Sequence, residues 1–500
     1  VPRTVFGIDP LLPIRLARRF WRKLTGVLPP AELAALVAAA AVLARVFGWM
    51  VRQERRGRSG TVVVAVLALL LFESTMWSSQ GDVPAGLFHP SVAGYTFRLY
   101  EILIPLALGA RLAAHGVPRR VSTTAMVWLA FAVWYAAGAV VGLLAGHDTK
   151  EVFFEAKAIA YVVGGYALAA GVPVHEYLGR RGLLRLTIPA ALAATVVIAL
   201  DESNRTLSGG IPGIRLEAFG VMGADTASLL VIVACLTIVL VACQRRRPIG
   251  LLTACGPLLA SALVAEQRAA LLGLAISAGL IALAWLTPTA RRRLRTTPTE
   301  MGLVALVVAG LLAVPVFFQA AVERRQPALP FAENVAGTFE GPRNEQSAQQ
   351  RVNQYRAATD VVRQRPVTGW GLGRTITYYA TGENVYKRSP IAHNIGADLL
   401  IRTGLVGLLL FAAPVATTVA GALRTWRYHP DNLVAAFALA CGALVLGLIG
   451  KGMVESIFEK YRLAVALGLL LGMARSAATA EPSAVAADAV DLTQDARRWS

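Results

Sequence analysis

Histidine and cysteine are scarce in this chain, six and four among 500 residues, and acidic residues (30) are outnumbered by basic ones (49). Each shortage removes a class of function. The cysteines, Cys235, Cys243, Cys255 and Cys441, all fall inside apolar runs, without metal-ligand spacing or a nucleophile's polar surroundings, so a disulfide framework, a zinc site and thiol catalysis are not expected. The sequence holds no Asp-x-Asp pair that would carry a divalent cation on a diphosphate. No His-Glu-x-x-His and no Gly-x-Ser-x-Gly elbow is found where the chain leaves its apolar runs. No metal and no cofactor is therefore expected.

What is abundant is apolar sequence. Hydrophobic residues make up 56% of the chain and mean hydropathy is +0.56, arranged in runs long enough to cross the roughly 30 Å hydrocarbon core of a bilayer as helices. The expected fold class is an all-α polytopic membrane protein of about twelve transmembrane helices: 61–79, 95–114, 122–145, 152–171, 183–200, 222–243, 249–265, 269–286, 301–320, 394–423, 433–450 and 456–474. The net charge of +19 does not point to nucleic acid, because the arginines cluster in short loops between runs, the way membrane topology is written. Clusters at Arg52 to Arg58, Arg119-Arg120, Arg180 to Arg185, Arg245 to Arg247, Arg291 to Arg295 and Arg424 to Arg427 fall on alternate loops. They place those loops in the cytoplasm and the remainder outside a plasma (inner) membrane.

The expected organisation is a basic amphipathic segment at 1–30, transmembrane helices over 31–320, an extracytoplasmic loop at 321–393, transmembrane helices over 394–475 and a disordered cytoplasmic tail at 476–500. The run 31–50 has basic residues on both flanks, which want the same side. It reads as a hairpin or half-inserted element, the alternative being a thirteenth span. No small-residue cleavage pattern follows the basic N-terminal residues, so no removable signal peptide is expected.

The polar stretch at 321–393 concentrates the residues that could do chemistry. Its one histidine, His393, is followed by Asn394 where apolar sequence resumes, at the mouth of a helix whose free N–H groups favour developing negative charge. Upstream, 345–365 has a helical stripe through Val352, Tyr355, Thr359 and Val362, closed by Pro366. This amphipathic helix is expected on the membrane surface. Gly369-Trp370-Gly371-Leu372-Gly373 has no strand before it and no βαβ unit around it, so it reads as a tight turn that lets backbone approach a neighbour or a ligand rather than a nucleotide loop. Three outer arginines, Arg215, Arg268 and Arg351, lie close to hydrocarbon, where a guanidinium is costly unless paired or given an anion. Their planar forks suit phosphate oxygens. Glu101, Glu155, Lys157 and Lys451 read as helix-packing ion pairs, and Glu455, at the outer mouth, could help shape a site.

Taken together, Arg351 and Tyr355, Pro366 with Gly369, Gly371 and Gly373, then His393-Asn394, then Gly404-Leu405-Val406-Gly407 resemble the shared domain of the O-antigen ligase and O-antigen polymerase superfamily. The resemblance implies a GT-C-like membrane glycosyltransferase fold. It implies transfer of an oligosaccharide from a polyprenyl-diphosphate carrier to an acceptor glycan or glycolipid, without a metal. It maps the essential histidine onto His393 and diphosphate-binding arginines onto Arg215 and Arg268, with Arg351, Tyr355, Asn394, Gly371, Gly373 and Glu455 as the substrate-binding surround. The chain departs from the pattern in Tyr355, where tryptophan is common, and in Arg402, where an acid is common. The expected function is thus an inverting lipid-linked oligosaccharide transfer among membrane lipids. The competing class, a transporter or flippase of lipid-linked saccharides, would show internal repeats and a midplane polar site.

Overall fold

The computed structural model describes residues 30–76, 91–92, 95–96, 98–116, 121–178, 182–206, 224–243, 249–264, 268–285, 287, 346–381 and 383–481. The basic N-terminal segment, Arg215 and its loop, the apolar run 301–320, the start of the long loop and the tail after 481 lie outside the described residues.

Helices dominate: α1 (Pro30–Arg55), α2 (Ser59–Met76), α3 (Leu99–His115), α4 (Thr123–Leu144), α5 (Thr149–Ala169), the short α6 (Val174–Leu178), α7 (Thr187–Thr206), α8 (Ala224–Ala242), α9 (Ile249–Val264), α10 (Arg268–Trp285), α11 (Gln346–Gln364), α12 (Ile395–Tyr428), α13 (Asn432–Gly452) and α14 (Tyr461–Ala478). Among the described residues six helices are long and apolar enough to cross a membrane: α4, α5, most of α8, α12, α13 and α14. Segments of α2, α9 and α10 are shorter apolar helices. The protein is a helical membrane protein.

The helix starts are written locally. Ser122, Asp148 and Asp431 precede α4, α5 and α13, and their side chains accept from backbone N–H groups of the first turn. Small residues then set how closely helices approach. A Cβ on Gly468 of α14 would lie 2.2 Å from the Val162 carbonyl of α5, and one on Gly165 would lie 2.8 Å from the Val465 carbonyl, so these two helices pack backbone to backbone. On α10, Ser277 donates to the Ala443 carbonyl of α13 (3.2 Å).

One expectation changes. The segment 31–50 is not a hairpin: α1 runs unbroken through it, because its Ala- and Leu-rich sequence carries no proline between Pro30 and Arg55. The all-α class stands, with two short antiparallel strand pairs among the helices. Ser91–Val92 (β1) pairs with Tyr95–Thr96 (β2), and Ile376–Ala380 (β3) pairs antiparallel with Val385–Ser389 (β4). β3 alternates buried and exposed residues, and its inner face, Ile376, Tyr378 and Ala380, packs with Ala358 of α11 and Ile401 of α12. A strand whose apolar residues recur at every second position has one face to bury, and α11 supplies the cover.

The feature that positions the site is a break in α12. At Gly404 the backbone leaves helical geometry (φ 64°, ψ −167°), which frees carbonyls and N–H groups inside the bundle, where buried polar groups need partners. The glycine turn 369–373 takes them up. Trp370 N donates to Ile401 O (2.8 Å) and Gly371 N to Arg402 O (3.0 Å), while Leu405 N donates to Pro366 O (2.8 Å). Trp134 of α4 donates its indole N–H to Thr403 O (3.0 Å). On its other side the turn is pressed into α4, where Leu372 N donates to Gly138 O (3.0 Å) and a Cβ on Gly142 would lie 2.1 Å from Leu372 O.

Candidate active site

His393 stands on the last residue of the loop with φ +52°, the left-handed region that a non-glycine residue rarely holds. Asn394 then turns the chain into α12. Its Oδ1 accepts from Ala397 N (3.0 Å), capping the helix, and its Nδ2 donates to the Met453 carbonyl (2.8 Å) in the turn between α13 and α14. The Tyr355 hydroxyl of α11 donates to the same carbonyl (3.3 Å). Burial raises the Tyr355 phenol above its usual range, with Arg351, one turn earlier, pulling the other way. That turn carries Glu459, whose Oε2 lies 3.6 Å from His393 Nδ1, both side chains about a third exposed at 34% and 35%.

Beneath His393 lies a buried charge cluster. Arg402 of α12, 5% exposed, grips Glu155 of α5 with Nε to Oε2 at 2.7 Å and Nη2 to Oε1 at 2.8 Å, and meets Asp398 Oδ1 with Nη1 at 2.9 Å. Its Nη2 also donates to the Pro390 carbonyl (2.7 Å). The carboxylates hold backbone in turn: Asp398 accepts from Ala392 N (2.8 Å) and Glu155 from Gly373 N (2.7 Å). The residues on either side of Ile391 and the end of the glycine turn are thus bolted to two membrane helices by one guanidinium. Fork geometry suits arginine to that task.

Along α12 from this polar mouth runs an apolar groove of about 920 Å³, bounded at one end by Asn394, Tyr355 and Met453, walled by Leu408, Val415 and Leu446, and reaching Leu423. Tyr355, Thr359 and Val362 of α11 roof its mouth, which accounts for the apolar stripe of that helix.

The structure therefore brings His393, Asn394 and Tyr355 together, with Arg351 beside Tyr355. Arg268 is the first residue of α10. The next turn of that helix packs on α13, where a Cβ on Gly273 would lie 3.0 Å from Gly447 O and 3.4 Å from Lys451 Cβ, so α10 begins toward the end of α13 that leads into the Met453 turn. Arg215 lies outside the described residues. Glu455 is engaged by Lys451, Nζ to Oε2 2.5 Å, the lysine itself buried. Gly371 and Gly373 make the close approach expected of them, and the partner is protein: their N–H groups bond Arg402 O and Glu155. Glu459, Asp398 and the clamp role of Arg402 were not legible as site features. Glu155 and Lys157 form ion pairs as expected, with Arg402 and with Glu101 (2.5 Å).

Residues 254–412, about a third of the chain, match the family model described as O-Antigen ligase. Over that stretch the chain is similar to the O-antigen ligase family. A search of the curated proteins finds no match. The ligase domain spans Arg268, Arg351, Tyr355, the glycine joint, His393 and the break in α12; Arg215, Glu455 and Glu459 lie beyond its limits. The match supports an O-antigen ligase-type membrane enzyme.

Proposed function

We propose that the protein is a lipid-linked oligosaccharide transferase of GT-C-like architecture with about twelve spans in the inner membrane. It moves a saccharide from a polyprenyl-diphosphate carrier to an acceptor glycan or glycolipid on the extracytoplasmic face. The observation that carries this reading is that Asn394, the residue next to His393, lines one end of the apolar groove on α12. A long hydrocarbon lying in that groove would have its head beside the His393–Asn394 corner. The side assignment rests on charge: α12 ends at Arg424 and Arg427, and basic helix ends stay in the cytoplasm, which puts its His393 end outside.

In this reading Arg215 and Arg268, with Arg351, grip the diphosphate, and their attraction strengthens as the leaving group takes up charge. No metal or cofactor takes part. The acceptor hydroxyl approaches His393, which accepts its proton as the oxygen attacks the anomeric carbon on the face opposite the diphosphate, inverting configuration. Asn394 holds the corner rather than reacting, and Gly371 and Gly373 keep the joint beneath it closed. Proteoliposomes carrying a radiolabelled lipid-linked donor and an acceptor glycan test the scheme. His393→Ala is expected to abolish transfer while inserting normally. Full activity in that variant overturns the reading, and donor translocation without transfer in the unaltered protein favours a transporter.

A further inference from the structure

We infer that Glu459 is the positioning partner of His393, so that the reactive unit is a carboxylate–imidazole dyad rather than a lone histidine. The inference rests on the transfer reading above and adds a residue that lies outside the matched ligase domain.

Three observations converge. The Glu459 carboxylate faces Nδ1 of His393 at 3.6 Å, which leaves Nε2 as the ring nitrogen free to meet a substrate. The turn that carries Glu459 is no loose strap: Asn394 and Tyr355 both donate to its Met453 carbonyl, so the residue after His393 and the helix roofing the groove hold the turn in place. Further along, Ile457 and Phe458 are buried on either side of the turn's descent into the bundle, and Phe458 packs edge-on against Phe411 of α12 (5.9 Å). The left-handed backbone at His393 (φ +52°) aims the ring and is kept in place by the Arg402 clamp acting on Pro390 and Ala392.

A carboxylate on one ring nitrogen does two things. It keeps the neutral ring protonated on Nδ1, leaving the lone pair on Nε2, and it stabilises the imidazolium that forms when Nε2 takes a proton. In the transfer step the acceptor O–H gives its proton to Nε2, the acceptor oxygen forms the new bond to the anomeric carbon, and the bond from that carbon to the diphosphate oxygen breaks, its electron pair leaving with the diphosphate. Glu459 gains no proton. The separation of 3.6 Å tightens to hydrogen-bond length in the substrate complex, as catalytic contacts often do.

The test uses the full chain in proteoliposomes, with insertion measured for every variant. Glu459→Gln is expected to lower kcat by about 10²-fold, the lower end of what a positioned acid–base group contributes, because both groups are partly solvated. The KM for donor should stay within about twofold, since binding is untouched. Glu459→Asp should recover part of the loss. A Glu459→Gln variant with full kcat beside an inactive His393→Ala overturns the dyad and leaves the transfer reading standing. A loss that appears only in KM also overturns it. Full activity of His393→Ala removes both.

Discussion

Arg402 and Glu155 meet fork to fork, Nε to Oε2 at 2.7 Å and Nη2 to Oε1 at 2.8 Å, across 247 residues of sequence and inside the helical bundle. The pair is 5% and 9% exposed, and a second carboxylate, Asp398, shares the same guanidinium. Removing the arginine would leave two buried carboxylates with only backbone N–H groups for company. Arg402→Ala is therefore expected to destabilise the protein by about 3–5 kcal/mol, read as a fall in thermal midpoint in detergent. Arg402→Lys keeps the charge but not the fork. It should insert normally and lose kcat with little change in donor KM, because it releases Pro390 and Ala392 and so unseats His393. An alanine variant as stable and active as the unaltered protein would show that the clamp supports nothing.

The glycine joint yields a prediction with its own control. At Gly371, φ is +84° and a Cβ would lie 2.5 Å from Gly142 N, a backbone atom that cannot step aside. At Gly57, φ is +63° but nothing lies within 4 Å of the added carbon. Both alanine variants carry the conformational cost of about 1–2 kcal/mol for a left-handed residue, and only Gly371→Ala adds the clash. Its thermal midpoint should fall well below that of Gly57→Ala, with transfer lost. Equal midpoints would mean that the contact with α4 does not set the joint's stability.

What was legible in the sequence divides along physical lines. Spans are local statements: an apolar run of sufficient length and its flanking caps sit in consecutive residues, so α4, α5, α12 and α13 emerge close to their expected limits. His393–Asn394 was legible because it sits where polarity changes, and α11 because its stripe recurs at helical spacing. Arg402–Glu155 and His393–Glu459 were not, since each joins residues that only the assembled bundle makes neighbours. The hairpin of β3 and β4 falls between. Ile376, Tyr378 and Ala380 alternate in burial, and Asn384 takes the left-handed conformation of a turn residue (φ 53°). Five residues per strand is nevertheless a weak signal inside a long polar stretch. The glycine motif shows the opposite gain: two clusters that look separate, at 369–373 and at 404–407, are the two halves of one joint.

Tyr355 offers a test in pH. Its phenol is raised above the ordinary 10.0 chiefly by burial, so the folded state holds that proton more tightly than the unfolded chain. The sign follows: stability contributed through this group is level below the ordinary phenol value and declines as pH rises above it. Tyr355→Phe should remove that alkaline decline. It should also cost about 0.5–1.5 kcal/mol at neutral pH for the hydrogen bond to Met453 O. Unfolding in detergent across the alkaline range measures both. An unchanged alkaline slope in the variant would assign the decline to other groups.

The groove on α12 makes the strongest demand on the proposed donor. Ala412, Ala416 and Ala420 are exposed along its wall, spaced so that one helical face stays low over about 12 Å. Small residues there leave room that a larger side chain would fill without disturbing packing elsewhere. Ala416→Trp is accordingly expected to insert normally and to raise KM for a long-chain polyprenyl donor by about tenfold. That corresponds to roughly 1.4 kcal/mol, the burial of less than two methylene-bearing groups at about 0.8 kcal/mol each. A donor analogue with a truncated lipid ends before reaching residue 416 and should be used as well by the variant as by the unaltered protein. The comparison of the two donors is what decides. An equal loss with both would place the effect at the His393 mouth, and no loss with either would mean that the hydrocarbon lies along some other face of the bundle.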